Sequence, residues 1–288
     1  MTDRHARSTT LGAACVLGGA TSIQSSAAIG VPCFAVIGAA ATSGLRFLVG
    51  AVVLTTVARP RLRGRTREGW LGIVAFGIAV AAMNLCFFQA VARLPLGTAV
   101  SIEFLGPFTL AVVTGSGRRH GLVAATGLAG VLLLARPGGG VTLVGALFAL
   151  GAAVGWASYT LASRRLGAVT EGIDGLALAI CIAAVLTVGF SVPEFTSLTW
   201  TLVARIVSMA VLGVVVGFSL ELAALRRLAA AHVAILFSLN PAIAFAIGWL
   251  VLGQHVHLTA LAGGLCVVGA GIAVTSDARR QAEALPPA

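Results

Sequence analysis

Lysine is absent from this 288-residue sequence, and acidic residues are few. Charged residues make up 10% of the chain, against about 25% in soluble domains, while 58% of the residues are hydrophobic. These proportions exclude a soluble domain and predict an all-α integral membrane protein. Because an ATP-driven pump needs the lysine of its phosphate-cradling loop, the lack of lysine also excludes that class of transporter.

Motifs for metal binding, redox chemistry and catalysis are also lacking. The five cysteines lie far apart in apolar runs, without the spacing of a metal or redox pair. The turn with His255 and His257 lacks the third ligand that a zinc site needs. A membrane enzyme would need a nucleophile turn, a His-Glu-X-X-His helix or a clustered carboxylate site, and the sequence contains none. We therefore expect no cofactor, no metal and no enzymatic activity.

All 19 basic residues are arginines, and they lie in short clusters between apolar runs. Such clusters set the topology of a membrane protein, so the net charge of +10 does not indicate a nucleic-acid partner. Placing both termini in the cytoplasm puts 15 arginines inside and three outside, as the positive-inside rule requires. The three outside are Arg93, Arg136 and Arg205, while Arg46 lies within a span.

The apolar runs predict ten membrane spans of about 20 residues, with Val31-Pro32 as the hinge between the first two. No cleavable signal peptide precedes them, and residues 1–10 and 276–288 form polar cytoplasmic tails. The fifth span is short for a full crossing. The spans are predicted near 11–29, 34–57, 70–91, 96–114, 121–135, 141–162, 172–192, 203–224, 230–252 and 258–275.

The fourth predicted span contains a carboxylate, Glu103, four residues before Pro107. Proline has no N–H donor, and its ring clashes with the carbonyl four residues before it. At 1.5 Å per residue, Glu103 lies roughly 10 Å into the span. The sequence therefore predicts a helix break beside an ionisable group in the hydrocarbon, where such groups are typically functional. In the alternative interpretation, the proline kinks a packed helix and Glu103 pairs with a neighbour.

A shift of 134 residues aligns this stretch with a second one. Residues 225–245 then lie over 91–111, and Pro241 falls on Pro107. These two prolines are the predicted helix breaks.

Two halves of the chain, 11–136 and 137–275, hold five predicted spans each. Because five is odd, the second half enters the membrane inverted. Interrupted helices at matching positions of inverted repeats are typical of secondary transporters, with the substrate site between the halves. We therefore expect ten transmembrane helices arranged as two inverted five-helix repeats.

Four sequence blocks resemble one family of transporters. They are LRFLVGA (45–51), RLPLGTAVSIEFLGP (93–107), FSLELAALRRL (218–228) and LFSLNPAIAFAIGWLVLGQ (236–254). Together with the ten short helices in two halves, they resemble the EamA-type branch of the drug/metabolite transporter superfamily over nearly the whole chain. Within that branch they are most similar to the threonine/homoserine exporters.

The resemblance implies a ten-helix carrier of the inner membrane that exports a small amino acid or related metabolite, driven by the proton gradient. One residue departs from the family pattern. The ninth helix of the family often ends in Leu-Gly-Glu, and here that glutamate is Gln254. Any role of the carboxylate in gating or helix anchoring is therefore open in this chain.

Three charged residues are candidates for proton coupling or substrate binding. Glu103 is the first candidate, as the group that carries the proton or binds the substrate amine. Glu221 lies near the predicted cytoplasmic end of the eighth span, where an ion pair with Arg226 or Arg227 is an equal alternative. Arg46 either snorkels to the outer surface, which the sequence favours, or binds a substrate carboxylate.

Polar amides and two aromatic residues complete the candidate set. Gln24, Asn84 and Asn240 lie within spans, where hydrogen bonding between helices is the common use and substrate binding the alternative. Trp156 and Tyr159 lie three apart on one helix face, either lining a central cavity or packing.

The leading hypothesis is proton-coupled export of small polar metabolites, so the expected partners are a small-molecule substrate, protons and the lipid bilayer, with a homodimer as a further option. Efflux of drugs or toxic cations is the alternative within transport. The low aromatic content of 6% favours small substrates over drugs. A membrane-embedded enzyme is the weakest alternative, because the sequence lacks its motifs.

Overall fold

The computed structural model describes residues 2–114, 125–126, 129–130, 133, 141–169, 173–228, 233, 236–255 and 257–283. Every regular element within these ranges is helical. The predicted all-α architecture is confirmed for this part of the chain. The fifth predicted span, near 121–135, lies mostly outside the described residues.

The first helix, α1 (Thr2–Ala58), contains the first two predicted spans and turns back at Gly38. Gly38 has φ 75° and ψ 160°, a backbone conformation that a side chain rarely allows. Arg46 and Ser26 form a hydrogen bond of 3.4 Å although 20 residues separate them, so the chain must reverse between them. The predicted hinge at Val31-Pro32 is wrong. Pro32 stays inside the helix, because a proline ring kinks a helix without reversing its direction.

The third predicted span is α2 (Arg67–Val91), which starts three residues before the predicted position of 70. The hydroxyl of Thr66 caps it by accepting a hydrogen bond from the backbone N–H of Gly69 at 3.1 Å. Glu68 lies in the first turn, where a negative charge favours the helix dipole. Together the cap and the charge extend the helix into the predicted basic loop.

The fourth predicted span consists of two helices, α3 (Leu96–Glu103) and α4 (Leu105–Thr114). They are separated at Phe104, directly after Glu103 and three residues before Pro107. The predicted helix break beside Glu103 is therefore confirmed.

The remaining elements follow the predicted spans, with two differences. The eighth span contains eight residues of π-helix, and a turn at Ser238 and Leu239 interrupts the ninth before its regular helix from residue 240. Pro241 lies in the first turn of that helix, where its missing N–H costs no hydrogen bond. The elements are α5 (Leu143–Val169), α6 (Asp174–Val188), a 3₁₀-helix (Val192–Ser197), α7 (Trp200–Met209), the π-helical segment (Ala210–Gly217), α8 (Phe218–Arg227), α9 (Asn240–Leu252) and α10 (Leu258–Glu283).

Within the described ranges, four stretches of helix are long and apolar enough to cross a membrane: Thr10–Ala58, Arg67–Val91, Leu143–Ala162 and Trp200–Ala224. The first has 49 residues, which at 1.5 Å per residue is roughly 74 Å, more than twice the hydrocarbon thickness. With the reversal at Gly38, α1 is long enough for two crossings. The chain is a membrane protein.

The helices approach one another closely at small residues. A Cβ added at Gly155 of α5 would lie 2.7 Å from the Cα of Met83 in α2, and one at Gly77 of α2 would lie 2.8 Å from the carbonyl oxygen of Ala179 in α6. Close backbone contact of this kind replaces the hydrophobic driving force that helices lack in lipid. Helix α2 thus packs against both α5 and α6, and α3 lies between α5 and α9.

Candidate functional site

All eight predicted site residues are buried, with no more than 8% of any of them exposed. They form three groups: a carboxylate group, a guanidinium group and an amide pair. The eight are Gln24, Arg46, Asn84, Glu103, Trp156, Tyr159, Glu221 and Asn240.

The carboxylate group joins Glu103 of α3, Tyr159 of α5 and Glu221 of α8. The phenol of Tyr159 donates a hydrogen bond to Oε2 of Glu221 at 3.3 Å. Glu103 lies near enough to Glu221 for the two charges to interact, and it accepts no hydrogen bond from the described residues. Two buried carboxylates from different parts of the chain therefore share one region.

The structure shows no ion pair between Glu221 and Arg227. Glu221 is 6% exposed, and its polar contact is with Tyr159. Arg227 is exposed and donates to the carbonyl of Ala223 at 2.9 Å. The side chain of Arg226 lies outside the described residues. Glu221 points to the helix interface because α8 continues from the buried π-helical segment.

Aromatic rings surround the two carboxylates. The ring of Trp156 lies 6.0 Å from that of Phe104 and 6.1 Å from that of Phe237, measured between centroids. Phe104 is the break between α3 and α4, and Phe237 directly precedes the turn before α9. Trp156 thus contacts both interrupted helices.

Tyr159, one turn further along α5, lies 4.9 Å from Phe76 and 6.3 Å from Phe218, again between ring centroids. We call the two glutamates with these six rings the aromatic–carboxylate cluster. Sequence analysis missed its four phenylalanines, because a phenylalanine in an apolar span carries no signal of its own. Their only signal is the placement of Phe104 and Phe237 beside the two prolines.

The guanidinium group is centred on Arg46 in the second arm of α1. Its Nη2 donates to the side-chain oxygen of Asn84, and its Nη1 donates to the hydroxyl of Ser26 at 3.4 Å. Its Cζ lies 4.6 Å from the ring centre of Phe88 and 5.2 Å from that of Phe47, within range of a cation–π interaction.

The snorkelling prediction for Arg46 is wrong, because only 2% of the residue is exposed. Counting residues placed Arg46 near the end of a span, but it did not reveal the rings and the amide that other helices supply. The ion pair found within the described residues joins Arg65 and Asp174. Arg46 has no carboxylate partner among these residues. A buried charge without a counter-ion is costly unless other groups stabilise it.

Gln24 and Asn240 form a pair between α1 and α9. The amide nitrogen of Gln24 donates to the side-chain oxygen of Asn240 at 3.4 Å, and Asn240 donates to the carbonyl of Phe237 at 3.1 Å. The oxygen of Gln24 is buried without a hydrogen bond. The pair therefore connects α1 to the turn before α9, beside the aromatic–carboxylate cluster.

Two serines that sequence analysis missed attach α1 to the π-helical segment and to Met209, the residue that caps the start of that segment. Ser22 donates to the carbonyl of Leu212 at 2.7 Å, and Ser26 donates to the carbonyl of Met209 at 2.9 Å. The spacing of four places both hydroxyls on one face of α1, which is a signal that the sequence contains. Because Ser26 also accepts from Arg46, its hydroxyl links the guanidinium group to the start of the π-helical segment.

Gln254, at the position where the family often has glutamate, has a local role in the structure. Its side-chain oxygen accepts a hydrogen bond of 3.0 Å from the backbone N–H of Leu96, the first residue of α3. The amide thus supplies the helix cap that the preceding residue, Pro95, does not. It connects the end of α9 with the helix that carries Glu103.

Comparisons with known proteins agree on one family. The profile of the EamA-like transporter family matches residues 143–276. "Threonine/homoserine exporter RhtA" of Salmonella typhimurium (strain SL1344) is 31% identical over 268 residues, covering 91% of this chain and 90% of that protein. The protein of the same name from Escherichia coli (strain K12) is 30% identical over 269 residues, with the same coverage of 91% and 90%. "Uncharacterized transporter YvbV" of Bacillus subtilis (strain 168) is 27% identical over 257 residues, 83% of each chain.

A solved crystal structure of another protein shares the fold. It aligns with 94% of this chain and 98% of its own, with a TM-score of 0.64 and 21% identity. At that identity the likeness concerns the fold alone.

Proposed function

The chain belongs to the EamA-like transporter family, and from this premise we propose that it is a secondary transporter that exports small amino acids of the threonine/homoserine kind in exchange for protons. The observation that carries the proposal is Glu103, a buried carboxylate at a helix break, within electrostatic range of a second buried carboxylate, Glu221. The substrate class comes from the names of the relatives, which cover about nine-tenths of the chain.

Proton coupling follows from the arrangement of Glu103 and Glu221. Two buried carboxylates within electrostatic range repel each other when both are ionised. Either a bound proton or the ammonium group of a substrate removes the repulsion. The region of the two glutamates can therefore bind either a proton or the substrate amine, and it does not require both at once. Alternate binding of this kind is what the exchange of substrate for protons requires.

Two structural breaks support alternating access between inverted repeats. Phe104 interrupts the helix in the first half, and the turn at Ser238 and Leu239 interrupts it in the second. Phe104 and Ser238 are separated by the 134 residues that align the two halves. We infer two five-helix repeats, 11–136 and 137–275, that rock about the aromatic–carboxylate cluster.

Contacts between turns support the topology with both termini in the cytoplasm. One end of the molecule brings together Gly38, Arg93 and Phe190, which line a cavity of about 460 Å³, and all three belong to turns or span ends expected outside. The ion pair of Arg65 with Asp174 joins a loop and a helix start that are both expected inside. The excess of arginines then fixes which end faces the cytoplasm of a bacterial inner membrane.

A second candidate, efflux of aromatic or cationic drugs, is favoured by one observation. Although aromatic residues make up only 6% of the chain, six of their rings lie around the two glutamates. Aromatic faces beside carboxylates suit a cationic ring system. The two candidates differ in whether an amino acid competes with such a cation.

The proposal is tested by counterflow of labelled threonine and homoserine in proteoliposomes with an imposed pH gradient. We expect the gradient to drive transport by the native protein, and Glu103→Gln to exchange substrate without responding to the gradient. Glu68→Gln is the matched control, because it makes the same chemical change at an exposed residue at the start of α2. It should behave as the native protein does.

If Glu103→Gln still responds to the gradient, Glu103 is structural and the coupling group lies elsewhere. If the native protein moves no amino acid but moves a cationic dye, the second candidate replaces the first.

A further inference from the structure

The guanidinium of Arg46 has more donors than its surroundings use. A guanidinium carries five N–H donors and cannot accept. The described residues take one from Nη2, at Asn84, and one from Nη1, at Ser26. Its Nε is buried and makes no hydrogen bond. Buried donors are nearly always paired, so this nitrogen lacks a partner that belongs there.

The charge of Arg46 likewise has no counter-ion among the described residues. No described carboxylate lies within ion-pair distance of it, and Glu221 of the aromatic–carboxylate cluster accepts its hydrogen bond from Tyr159. Asn84 and Ser26 are neutral, and Phe47 and Phe88 offer only their ring faces. A partner that satisfies both the free donors and the charge must be an anion.

The geometry selects the kind of anion. The rings of Phe88 and Phe47 lie close to the guanidinium. Because the N–H groups of a guanidinium lie in its plane, its free donors are reached at its edge. A planar anion with two oxygens matches such an edge, as in bidentate pairs of arginine with carboxylates. The neighbouring backbone leaves the space tight, because a Cβ at Gly213 would lie 2.9 Å from Nη1. A small carboxylate therefore fits better than a bulky anion.

A cavity at the end of the molecule lies two rings away from the guanidinium. The cavity of about 460 Å³ at the Gly38 turn is lined by Phe34, among others. The ring of Phe34 lies 5.5 Å from that of Phe88, and the Cζ of Arg46 lies 4.6 Å from the ring centre of Phe88. Two adjacent rings thus separate the cavity from the guanidinium.

We propose that Arg46, held by Asn84 and Ser26, binds the carboxylate of the transported molecule. The inference rests on the proposed function in one respect, namely that this molecule is an amino acid. Arg46, in the first half of the chain, then binds the carboxylate of the substrate. This site is distinct from the two glutamates, which bind the substrate amine or a proton.

The test measures ligand affinity of the full-length protein in detergent, from the shift of its thermal unfolding midpoint with ligand concentration. Three probes are used: threonine, threoninamide, which replaces the carboxylate by a neutral amide, and 3-hydroxybutyrate, which lacks the amine. We expect the native protein to bind threonine about 10- to 100-fold more tightly than threoninamide, as for charge-assisted bidentate bonds. In Arg46→Gln this ratio should fall to about one.

The ratio separates ligand binding from a structural role. If Arg46 only stabilises the fold, Arg46→Gln lowers the unfolding temperature but leaves the ratio unchanged, and the inference is overturned. Arg46→Lys keeps the charge without the fork of donors, so its ratio should fall between the two. It also serves as the test variant if Arg46→Gln does not fold, and a native ratio in Arg46→Lys would then overturn the inference. Arg205→Gln, a half-buried arginine of α7, should keep the native ratio.

The probes also distinguish this inference from the proposed function. Native protein that binds 3-hydroxybutyrate through Arg46 but does not bind threonine has the carboxylate site and is no amino-acid exporter. Native protein that binds threonine and threoninamide equally keeps the proposed function and lacks the carboxylate site. Native protein that binds no carboxylate at all overturns the inference.

Discussion

The side-chain oxygen of Gln254 lies 3.0 Å from the backbone nitrogen of Leu96, although 158 residues separate them in the sequence. The bond caps α3 from the end of α9. Gln254→Ala should therefore lower the free energy of unfolding by about 1 kcal/mol, the usual cost of a lost helix cap. Gln254→Glu keeps an acceptor at the same reach and should lose much less.

Unfolding in mixed micelles titrated with denaturing detergent measures both variants. Equal stability of Gln254→Ala and the native protein would mean that water or the backbone replaces the cap.

Gly106, two residues after the break between α3 and α4, lies against the backbone of α5. A Cβ at this position would overlap the carbonyl oxygen of Ala153. Since backbone cannot move aside as a flexible side chain does, Gly106→Ala should destabilise the protein by about 1–3 kcal/mol, the range for overpacking. Gly269→Ala is the matched control, because no heavy atom lies within 4 Å of a Cβ there. Equal unfolding midpoints of the two variants would contradict the close packing of α4 on α5.

Removing the phenol oxygen of Tyr159 leaves Glu221 without its hydrogen bond. Hydrogen bonds within membrane proteins contribute about 0.6 kcal/mol on average and up to about 1.7. Tyr159→Phe should therefore lower the unfolding free energy by about 0.6–1.7 kcal/mol. In a Glu221→Leu background the same substitution should cost close to nothing, and the double-mutant cycle measures the difference. A full cost in both backgrounds would show that Tyr159 acts through packing.

Ser26→Ala removes the donor to Met209 and the acceptor for Arg46 in one step. We expect a loss of about 0.6–1.5 kcal/mol, above that of Ser208→Ala. Ser208 is exposed and its hydroxyl bonds within its own helix, to Ala204 at 2.8 Å, so its removal leaves no buried group unpaired. The two single variants are compared by their unfolding in mixed micelles. A larger loss for Ser208→Ala would exclude the link between α1 and the π-helical segment.

The helix break beside Glu103 could be predicted because its cause is local. A proline acts on the backbone four residues before it, whatever surrounds the helix. The same local logic misplaced the first reversal. Proline and glycine both disfavour regular helix, and only the three-dimensional packing decides that the chain reverses at Gly38 and not at Pro32.

The polar surroundings of the site could not be predicted, because each depends on a partner far along the chain. Arg46 contacts Asn84 and Phe88, which lie on another helix. The π-helical segment has no sequence signature, so the carbonyls that it offers to Ser22 and Ser26 were not foreseeable. Periodicity identifies which residues face inward, whereas contacts between helices identify what they meet.

The bonds that join the polar groups differ greatly in sequence separation, which orders their formation during synthesis. Arg46 lies 20 residues from Ser26 and 38 from Asn84, so its two partners are present once α2 has entered the membrane. The bond between Gln24 and Asn240 spans 216 residues and must wait for α9. In a nascent chain, the hydrogen-bond partners of Arg46 are therefore in place early, once the first helices have formed. The bond between α1 and α9 is left to the last helices that emerge from the ribosome.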